Sequence, residues 1–216
     1  MRIGIFGGSF DPPHAGHLLV ALDAMDALAL DRLQVVPAAT QPLKTGTPTA
    51  SHHRLAMTRQ CFEGLPHVEV DPIEHERGGL SFTVDTVESY RRQWPSSELH
   101  LLLGEDAVAG LPRWREPERL LSMVQLVVLT RTFEAARPTS APASPSIDQW
   151  LLAQRLQHPV RRLATRRIDI SSTEIRARVN DGRSLRGFVP DAVAAYIAFN
   201  GLYLQGSAAL SDPNPV

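Results

Sequence analysis

Cysteine is nearly absent from this chain, since Cys61 is the only one among 216 residues. An internal disulfide framework is therefore excluded, and the composition suits a reducing compartment. The sequence also lacks a recognisable signal peptide and any run approaching the roughly 20 apolar residues of a membrane-spanning helix. We therefore expect a cytoplasmic protein with no membrane partner.

An excess of either charge is also missing, because 22 basic residues are balanced by 23 acidic ones for a net charge of −1. Broad nucleic-acid binding generally needs a basic face, so we expect no nucleic-acid partner and only local phosphate sites. A hydrophobic content of 43% suffices for one sizeable core. We expect residues 1–204 to form a single domain and residues 205–216 a disordered tail. Composition leaves homo-oligomer formation open.

A glycine-rich loop connects an apolar run to an amphipathic stretch near the start of the chain. The run from Arg2 to Phe6 indicates a buried strand, and the string GGSFDPPHAGH at 7–17 leads into a predicted helix. Glycines let backbone N–H groups approach an anion, and the helix start adds N–H donors and a positive dipole end. His14 and His17 lie at that start, where both can donate hydrogen bonds to the same anion. The sequence therefore predicts a phosphate site.

Other sites with similar composition fit the string less well. It lacks the Gly-Lys-Ser/Thr ending of a P-loop and does not match G-x-G-x-x-G. No third ligand at metal-binding spacing accompanies the two histidines, so we expect no zinc site. A plain glycine turn with two surface histidines would be favoured by a Gly-Gly pair alone, but not by the whole eleven-residue string.

The rest of the chain predicts alternating strands and helices. Further apolar runs typical of strands lie at 33–36, 67–70, 99–103, 126–129 and 167–170. Helical patterns separate them, one beginning with Ser51 as its N-cap, and the Pro- and Ser-rich segment 137–146 indicates a loop. Strand-helix-strand successions imply right-handed parallel crossovers. We therefore predict an α/β fold with a Rossmann-like, doubly wound, mainly parallel sheet, helices on both faces and a C-terminal helical portion.

A second helix start lies far along the chain, at residues 171–174. Ser171 followed three residues later by Glu174 has the form of a capping box. The helix should end near Asn180, before Gly182. It offers a second helix N-terminus to phosphate.

Both strings resemble motifs of one superfamily. GGSFDPPHAGH is similar to the T/H-x-G-H signature of nucleotidyltransferases, in the form found in nicotinate-nucleotide adenylyltransferases, and ISSTEIR at 170–176 resembles the I-S-S-T-x-I-R motif. Shorter matches extend the resemblance over most of residues 1–204, at 81–83, 104–106, 112–114 and 188–190. The resemblance implies transfer of AMP from ATP to nicotinate mononucleotide in NAD biosynthesis. Pyrophosphate would leave, with no covalent enzyme intermediate.

For ATP, the resemblance implies that His14, His17 and Arg176 are the catalytic residues and contact the phosphates. The other implied ATP contacts are Gly8, Ser9, Phe10, Lys44, Gly104, Asp106, Ile170, Ser171, Ser172 and Thr173. Mg²⁺ would bind with ATP and keep mostly water ligands, so we expect no metal cage built by the protein. Asp11 and Asp106 are interpreted as structural or nucleoside contacts.

For the acceptor, the resemblance implies contacts from Gly7, Ser9, Thr83, Trp114, Arg115 and Arg131. Trp114 would lie against the pyridine ring, with Thr83 and the backbone N–H of Arg115 near its carboxylate. A second hypothesis, from position alone, is that the Arg115 guanidinium favours nicotinate over nicotinamide. The chain departs from the family pattern at Ala39 and Leu43, which leaves acceptor contacts from that loop open.

Three alternatives remain open at this stage. Phosphopantetheine adenylyltransferases share both motifs in outline but lack the Trp114 region. Nicotinamide mononucleotide is an alternative acceptor. A non-catalytic nucleotide-binding regulator could use the same fold, although His14, His17 and Arg176 are all present.

Overall fold

Strands and helices alternate along the chain. The computed structural model describes residues 1–42, 49–130, 147–153, 160–166 and 168–204. Its strands are β1 Arg2–Gly8, β2 Arg32–Pro37, β3 Val68–Val70, β4 Glu98–Gly104, β5 Gln125–Thr130 and β6 Val160–Ala164. Its helices are α1 Ala15–Leu28, α2 Ser51–Phe62, α3 Ile73–Arg77, α4 Thr83–Gln93, α5 Glu105–Gly110, α6 Pro117–Met123, α7 Ile147–Ala153, α8 Ser172–Asn180 and α9 Asp191–Phe199. A 3-10 turn, Leu111–Arg113, follows α5.

The six strands form one parallel sheet in the order β3-β2-β1-β4-β5-β6. The order reverses between β1 and β4, so the loops that follow these strands run in opposite directions. Such a reversal opens a crevice at the carboxyl ends of the strands, where α/β proteins bind ligands. The predicted fold class is confirmed.

The central strands are buried on both faces, as their apolar runs predict. Alternate side chains enter two core clusters, because successive residues of a strand point to opposite faces. The first cluster contains Ile3, Ile5, Leu101, Leu103, Leu126 and Val128. The second contains Phe6, Leu33, Leu102, Val127 and Leu129. Helices α4 and α6 pack into the first cluster, while α1, α2, α8 and α9 pack into the second. The layer arrangement and the C-terminal helical portion follow the prediction.

The last predicted strand, 167–170, is wrong. Residues 168–170 are not in a strand, and Arg167 lies outside the described residues. The sixth strand is β6, which among the described strands pairs with β5 alone. Arg161 and Arg162 in β6 are exposed. An edge strand that is half solvated lacks the apolar run by which buried strands are recognised.

The two predicted serine caps have different outcomes. Ser51 is the first residue of α2, and the N-cap Ala50 makes no side-chain hydrogen bond, so the predicted cap there is wrong. Ser171 is the N-cap of α8, and its Oγ accepts a hydrogen bond from the backbone N–H of Glu174 at 3.1 Å. The predicted loop 137–146 and tail 205–216 lie outside the described residues.

Within the described ranges, none of the helices combines the length and the apolar character needed to span a lipid bilayer.

Candidate active site

A cavity of about 740 Å³ opens at the carboxyl ends of β1, β2 and β4. It therefore lies at the reversal of strand order, where the topology favours a ligand site. Nine of the residues predicted from the sequence line it: Gly7, Gly8, Ser9, His17, Thr83, Gly104, Asp106, Trp114 and Arg115. Residues from distant parts of the chain are thus brought together around one space. The size suits a ligand of nucleotide dimensions.

His14 and His17 cap the first turn of α1 reciprocally. Nδ1 of His14 accepts a hydrogen bond from the backbone N–H of His17, and Nδ1 of His17 accepts one from that of His14, both at 3.3 Å. A ring nitrogen that accepts a hydrogen bond is unprotonated, so in each neutral ring the proton is on Nε2. The capping fixes both the position and the tautomer of His17. The backbone thereby turns Nε2–H of His17 into a preorganised donor.

The two histidines are not equally placed. His17 lines the cavity, whereas His14 is only 7% exposed and is not among the lining residues. Their ring centroids are 3.7 Å apart. His14 therefore supports the ring of His17 in addition to capping the helix.

The glycine between the histidines is required by packing. A Cβ added at Gly16 would lie 2.9 Å from Nδ1 of His14 and 3.0 Å from its Cε1. The imidazole would have to move, and its capping hydrogen bond would be lost. The H-x-G-H spacing thus follows from two capping positions and the close contact between them.

The segment from the end of β1 to the first turn of α1, here called the phosphate loop (residues 7–17), buries the side chain of Phe10. Phe10 is 1% exposed and adopts a positive φ of 47°, which is strained for a bulky residue. Its ring contacts that of His17 edge-on at 5.0 Å between centroids. A Cβ at Gly8 would lie 3.0 Å from the Phe10 ring. Because this ring is buried, Phe10 can contact a phosphate only through its backbone.

A buried guanidinium joins the phosphate loop to the loop after β2. Arg54, on α2, is 2% exposed. It donates to the backbone carbonyls of Ser9 at 2.9 Å, Ala38 at 2.6 Å, Ala39 at 2.6 Å and Thr49 at 2.9 Å. Burial lowers the pKa of Arg54, and nearby acidic groups oppose that shift. Only a planar fork of donors can satisfy so many carbonyls at once.

The sequence reasoning missed Arg54, although a signal for it was present. Arg54 precedes Met57, Thr58 and Cys61 by three, four and seven residues, and these three side chains are buried. An arginine on the apolar face of a helix either extends its head to solvent or binds buried acceptors. Arg54 takes the second course and binds backbone carbonyl groups.

The N-terminus of α8 lies against the phosphate loop. The hydroxyl of Ser172 donates to the carbonyl of Pro12 at 2.8 Å, and the guanidinium of Arg176 donates to that of Asp11 at 2.7 Å. Arg176 also donates to Thr173 Oγ1 at 3.1 Å. Ile170 packs beside the second core cluster. The second motif thus adjoins the first, but Ile170, Ser171, Ser172, Thr173 and Arg176 are not among the residues lining the cavity.

Three of the predicted acceptor residues, Thr83, Trp114 and Arg115, line the cavity outside the phosphate loop, whereas Gly7 and Ser9 belong to that loop. Trp114 packs against the first core cluster and faces the cavity. The guanidinium of Arg115 lies 4.8 Å from the centre of the Phe82 ring. It is also 3.6 Å from the carboxylate of Asp85 and 3.4 Å from that of Glu116. Two carboxylates therefore compete for the charge of Arg115, which weakens the case for it as the selector of nicotinate.

Some predicted or discussed polar groups have other partners or lie elsewhere. Both oxygens of Asp11 are used, because Tyr203 donates to Oδ1 at 2.8 Å and the N–H of Thr49 donates to Oδ2 at 3.3 Å. Asp11 is therefore a structural acceptor, as interpreted from the sequence. Lys44 and Arg131 lie outside the described residues.

Candidate metal ligands are few among the described residues. The described residues contain no group of three or more His, Cys, Asp or Glu side chains able to hold a metal ion. Asp106 does line the cavity. One carboxylate, together with substrate phosphates and water, is a common way for proteins to bind Mg²⁺.

Comparison with known proteins gives a consistent result. The cytidylyltransferase-like family model matches residues 5–178. A protein named "Probable nicotinate-nucleotide adenylyltransferase" from Gemmatimonas aurantiaca is 60% identical over 95% of this chain and 93% of its own length. A protein of the same name from Roseiflexus sp. is 44% identical over 93% of this chain and 97% of its own.

Among solved structures, similarity is found to the Plasmodium falciparum nicotinic acid mononucleotide adenylyltransferase complexed with NaAD. Its TM-score is 0.71 at 19% identity, covering 94% of this chain and 97% of the other. The same protein complexed with APC gives a TM-score of 0.69, also at 19% identity, and covers 94% and 96%. At these identities the likeness supports the fold.

Proposed function

The chain belongs to the cytidylyltransferase-like family and, within it, to the nicotinate-nucleotide adenylyltransferases, and from this membership we propose the reaction and the role of each site residue. The protein is a nucleotidyltransferase that transfers AMP from ATP to nicotinate mononucleotide. The products are nicotinic acid adenine dinucleotide, a precursor of NAD, and pyrophosphate. Residues 1–204 act as one nucleotidyltransferase domain.

One observation carries the assignment of the site: the cavity at the reversal of strand order is lined by His17, whose Nε2–H is fixed by backbone capping. The acceptor phosphate is already an ionised nucleophile, so the protein has to align it with the α-phosphorus of ATP and stabilise the charge of the transition state. Direct in-line attack needs no covalent intermediate. A donor held in place before the reaction serves this purpose well.

At the phosphate end, His17 contacts the α-phosphate and His14 holds His17 in position. Backbone N–H groups of Gly8, Ser9 and Phe10 line the shared phosphate region. The N-terminal turn of α8 and Arg176 bind the β- and γ-phosphates. Arg176 donates to the carbonyl of Asp11 and to Thr173 Oγ1. Because a guanidinium has five N–H donors, Arg176 can keep these two partners and still donate to pyrophosphate.

At the nucleoside ends, the cavity residues divide into two groups. Gly104, the last residue of β4, and Asp106, in α5, are cavity residues and lie near the adenosine. Trp114 stacks on the pyridine ring, with Thr83 and the backbone N–H of Arg115 near its carboxylate. Gly7 and Ser9 complete the acceptor side. For Lys44 and Arg131, contacts with ATP and acceptor respectively stay predictions from the family resemblance.

Mg²⁺ binds together with ATP, and its charge would offset the negative charge of the phosphates. Asp106 lines the cavity, and its interpretation as a structural or nucleoside contact leaves Mg²⁺ to the phosphates and water. The net charge of −1 supports an enzyme without a nucleic-acid partner. A cytoplasmic location without a membrane partner stays a prediction from the sequence.

The test is pyrophosphate release by the purified protein with ATP and Mg²⁺ and one of three acceptors. These are nicotinate mononucleotide, nicotinamide mononucleotide and phosphopantetheine. We expect release with nicotinate mononucleotide well above that with the other two. Equal or faster release with another acceptor would retain the chemistry and overturn the roles of Trp114 and Thr83. No release with any of them, despite ATP binding, would favour a regulator.

A further inference from the structure

Glu74 is a buried carboxyl group that lines the cavity and has no role in the reaction described above. It lies on the short helix α3 and is 7% exposed. Burial raises the pKa of Glu74, while hydrogen bonding from Thr86 and Ser81 favours its ionised form. A buried carboxyl is costly unless its hydrogen bonds are made. The groups that hydrogen-bond to Glu74 therefore indicate its function.

The main partner of Glu74 is the hydroxyl of Thr86, one turn beyond Thr83 on α4. Oγ1 of Thr86 donates to Oε1 of Glu74 at 2.8 Å and accepts a hydrogen bond from Arg77 at 3.1 Å. Thr86 is 1% exposed but contributes to the cavity lining. Because its one proton is directed to Glu74, Thr86 is fixed as a support and cannot donate to a ligand at the same time.

A second contact in the same region ties α3 to α4. Tyr90, one turn after Thr86, donates its hydroxyl proton to Asp71 Oδ2 at 2.7 Å, just before α3. A five-residue helix has little stability of its own. The place of α3 therefore depends on these contacts with α4.

Ser81 transmits this arrangement to the loop that follows β2. Its Oγ accepts hydrogen bonds from the backbone N–H groups of Ala39 at 2.9 Å and Thr40 at 3.2 Å, and its own N–H donates to the carbonyl of Thr40 at 2.8 Å. Ser81 and the neighbouring Gln41 line the cavity. Residues 71–90, here called the acceptor wall, thus hold one side of the cavity as a unit.

We propose that Glu74 is a positioning residue for the acceptor: through Thr86 it holds the acceptor wall, and with it Thr83, in the geometry that binds the pyridine nucleotide. This rests on the proposed function, which places the pyridine ring beside Thr83 and Trp114. Glu74 touches neither reacting phosphate. Its loss should therefore weaken acceptor binding more than it changes the chemical step or ATP binding.

The experiment measures KM for each substrate, kcat, and acceptor binding by tryptophan fluorescence in the intact protein. For Thr86→Val, which keeps the side-chain shape, we expect KM for nicotinate mononucleotide to rise about tenfold, with kcat and KM for ATP changed less than about twofold. Glu74→Ala should act in the same way. Glu74→Gln should recover part of the loss, since its amide oxygen can still accept from Thr86. Glu76→Ala, an exposed glutamate on the same helix, is the matched control.

A double variant tests whether the two side chains act together. If Glu74 acts through Thr86, Glu74→Gln combined with Thr86→Val should raise KM no further than Thr86→Val alone. If the KM increases of the two single variants multiply in the double variant, Glu74 does not act through Thr86. A lower melting temperature with unchanged KM and binding would show a structural role only. Acceptor binding that weakens as expected in a protein with no turnover would overturn the proposed function and retain the inference.

Discussion

The phosphate loop and the acceptor wall are held in place by different kinds of contact. Side chains from elsewhere bind backbone carbonyls of the phosphate loop: Arg54 binds Ser9, Ser172 binds Pro12 and Arg176 binds Asp11. The acceptor wall is held mainly by pairs of its own side chains, Glu74 with Thr86 and Asp71 with Tyr90, and Ser81 joins it to the loop after β2.

The two kinds of contact suit the phosphate loop and the acceptor wall to different tasks. Backbone contacts fix the phosphate loop whatever side chains it carries, so its geometry suits the chemistry common to nucleotidyl transfer. Side-chain pairs can be altered one at a time without moving the loop, so the wall is the part that can set acceptor choice. Changes in the phosphate loop should affect turnover, and changes in the wall should affect one substrate.

The largest effect is expected at Arg54, which joins both loops around the cavity. Arg54→Lys leaves most of the four carbonyls without a donor, and we expect the free energy of unfolding to fall by about 3 kcal/mol. Turnover should fall as well. Denaturant unfolding monitored by circular dichroism measures the loss, and Arg59→Lys, an exposed position on the same helix, is the control. Equal stability of the two variants would show that the hydrogen bonds from Arg54 to the two loops do not contribute to stability.

His17→Ala should affect the chemical step with little change in stability. Removing one preorganised donor from a developing negative charge typically reduces kcat by about 10²–10³-fold. Steady-state rates of pyrophosphate release measure this, and His52→Ala, an exposed histidine on α2, serves as control. A raised KM for ATP with unchanged kcat would place His17 in ground-state binding and remove the functional contrast between loop and wall.

Trp114→Ala tests acceptor binding without altering the acceptor wall. Loss of the stacking ring should raise KM for nicotinate mononucleotide about tenfold and leave KM for ATP nearly unchanged. Trp114→Phe retains an aromatic face and should recover most of the affinity. If both KM values rise together, the side of the cavity that contains Trp114 does not serve the acceptor alone.

Cys61 belongs to neither region and should give the smallest effect. Burial raises the pKa of its thiol to about 12, so almost no thiolate is present at pH 8. A thiol reagent should fail to label the folded protein at that pH and should label it after unfolding. Cys61→Ala should retain activity within about twofold. Rapid labelling of the folded protein would mean that the core around α2 opens readily.

The helix start at the end of the phosphate loop could be predicted from the sequence because its capping contacts are local, whereas the contacts from Arg54, Ser172 and Arg176 come from distant residues. Two histidines three residues apart can reach each other's backbone N–H only at a helix start, and Ser171 forms its predicted cap in the same way. The buried strands were equally plain from their apolar runs. Such signals need no knowledge of distant residues.

The remaining features depend on tertiary contacts. Glu74 and Arg54 resemble solvated helix charges until the fold brings Thr86 and the carbonyls to them. Helix α3 is too short for a periodic pattern, and β6 carries the polar surface of an edge strand. The N-cap of α2 is Ala50, one residue before the expected Ser51, and it makes no side-chain hydrogen bond.

The central claim is that this cavity joins ATP to nicotinate mononucleotide. The most direct measurement is the amount of dinucleotide and of pyrophosphate formed from the two substrates with Mg²⁺, by chromatography and an enzyme-linked assay, for the unaltered protein and His17→Ala. We predict equal amounts of the two products and a loss of both in the variant. Bound ATP without dinucleotide, or pyrophosphate released without it, would contradict the account.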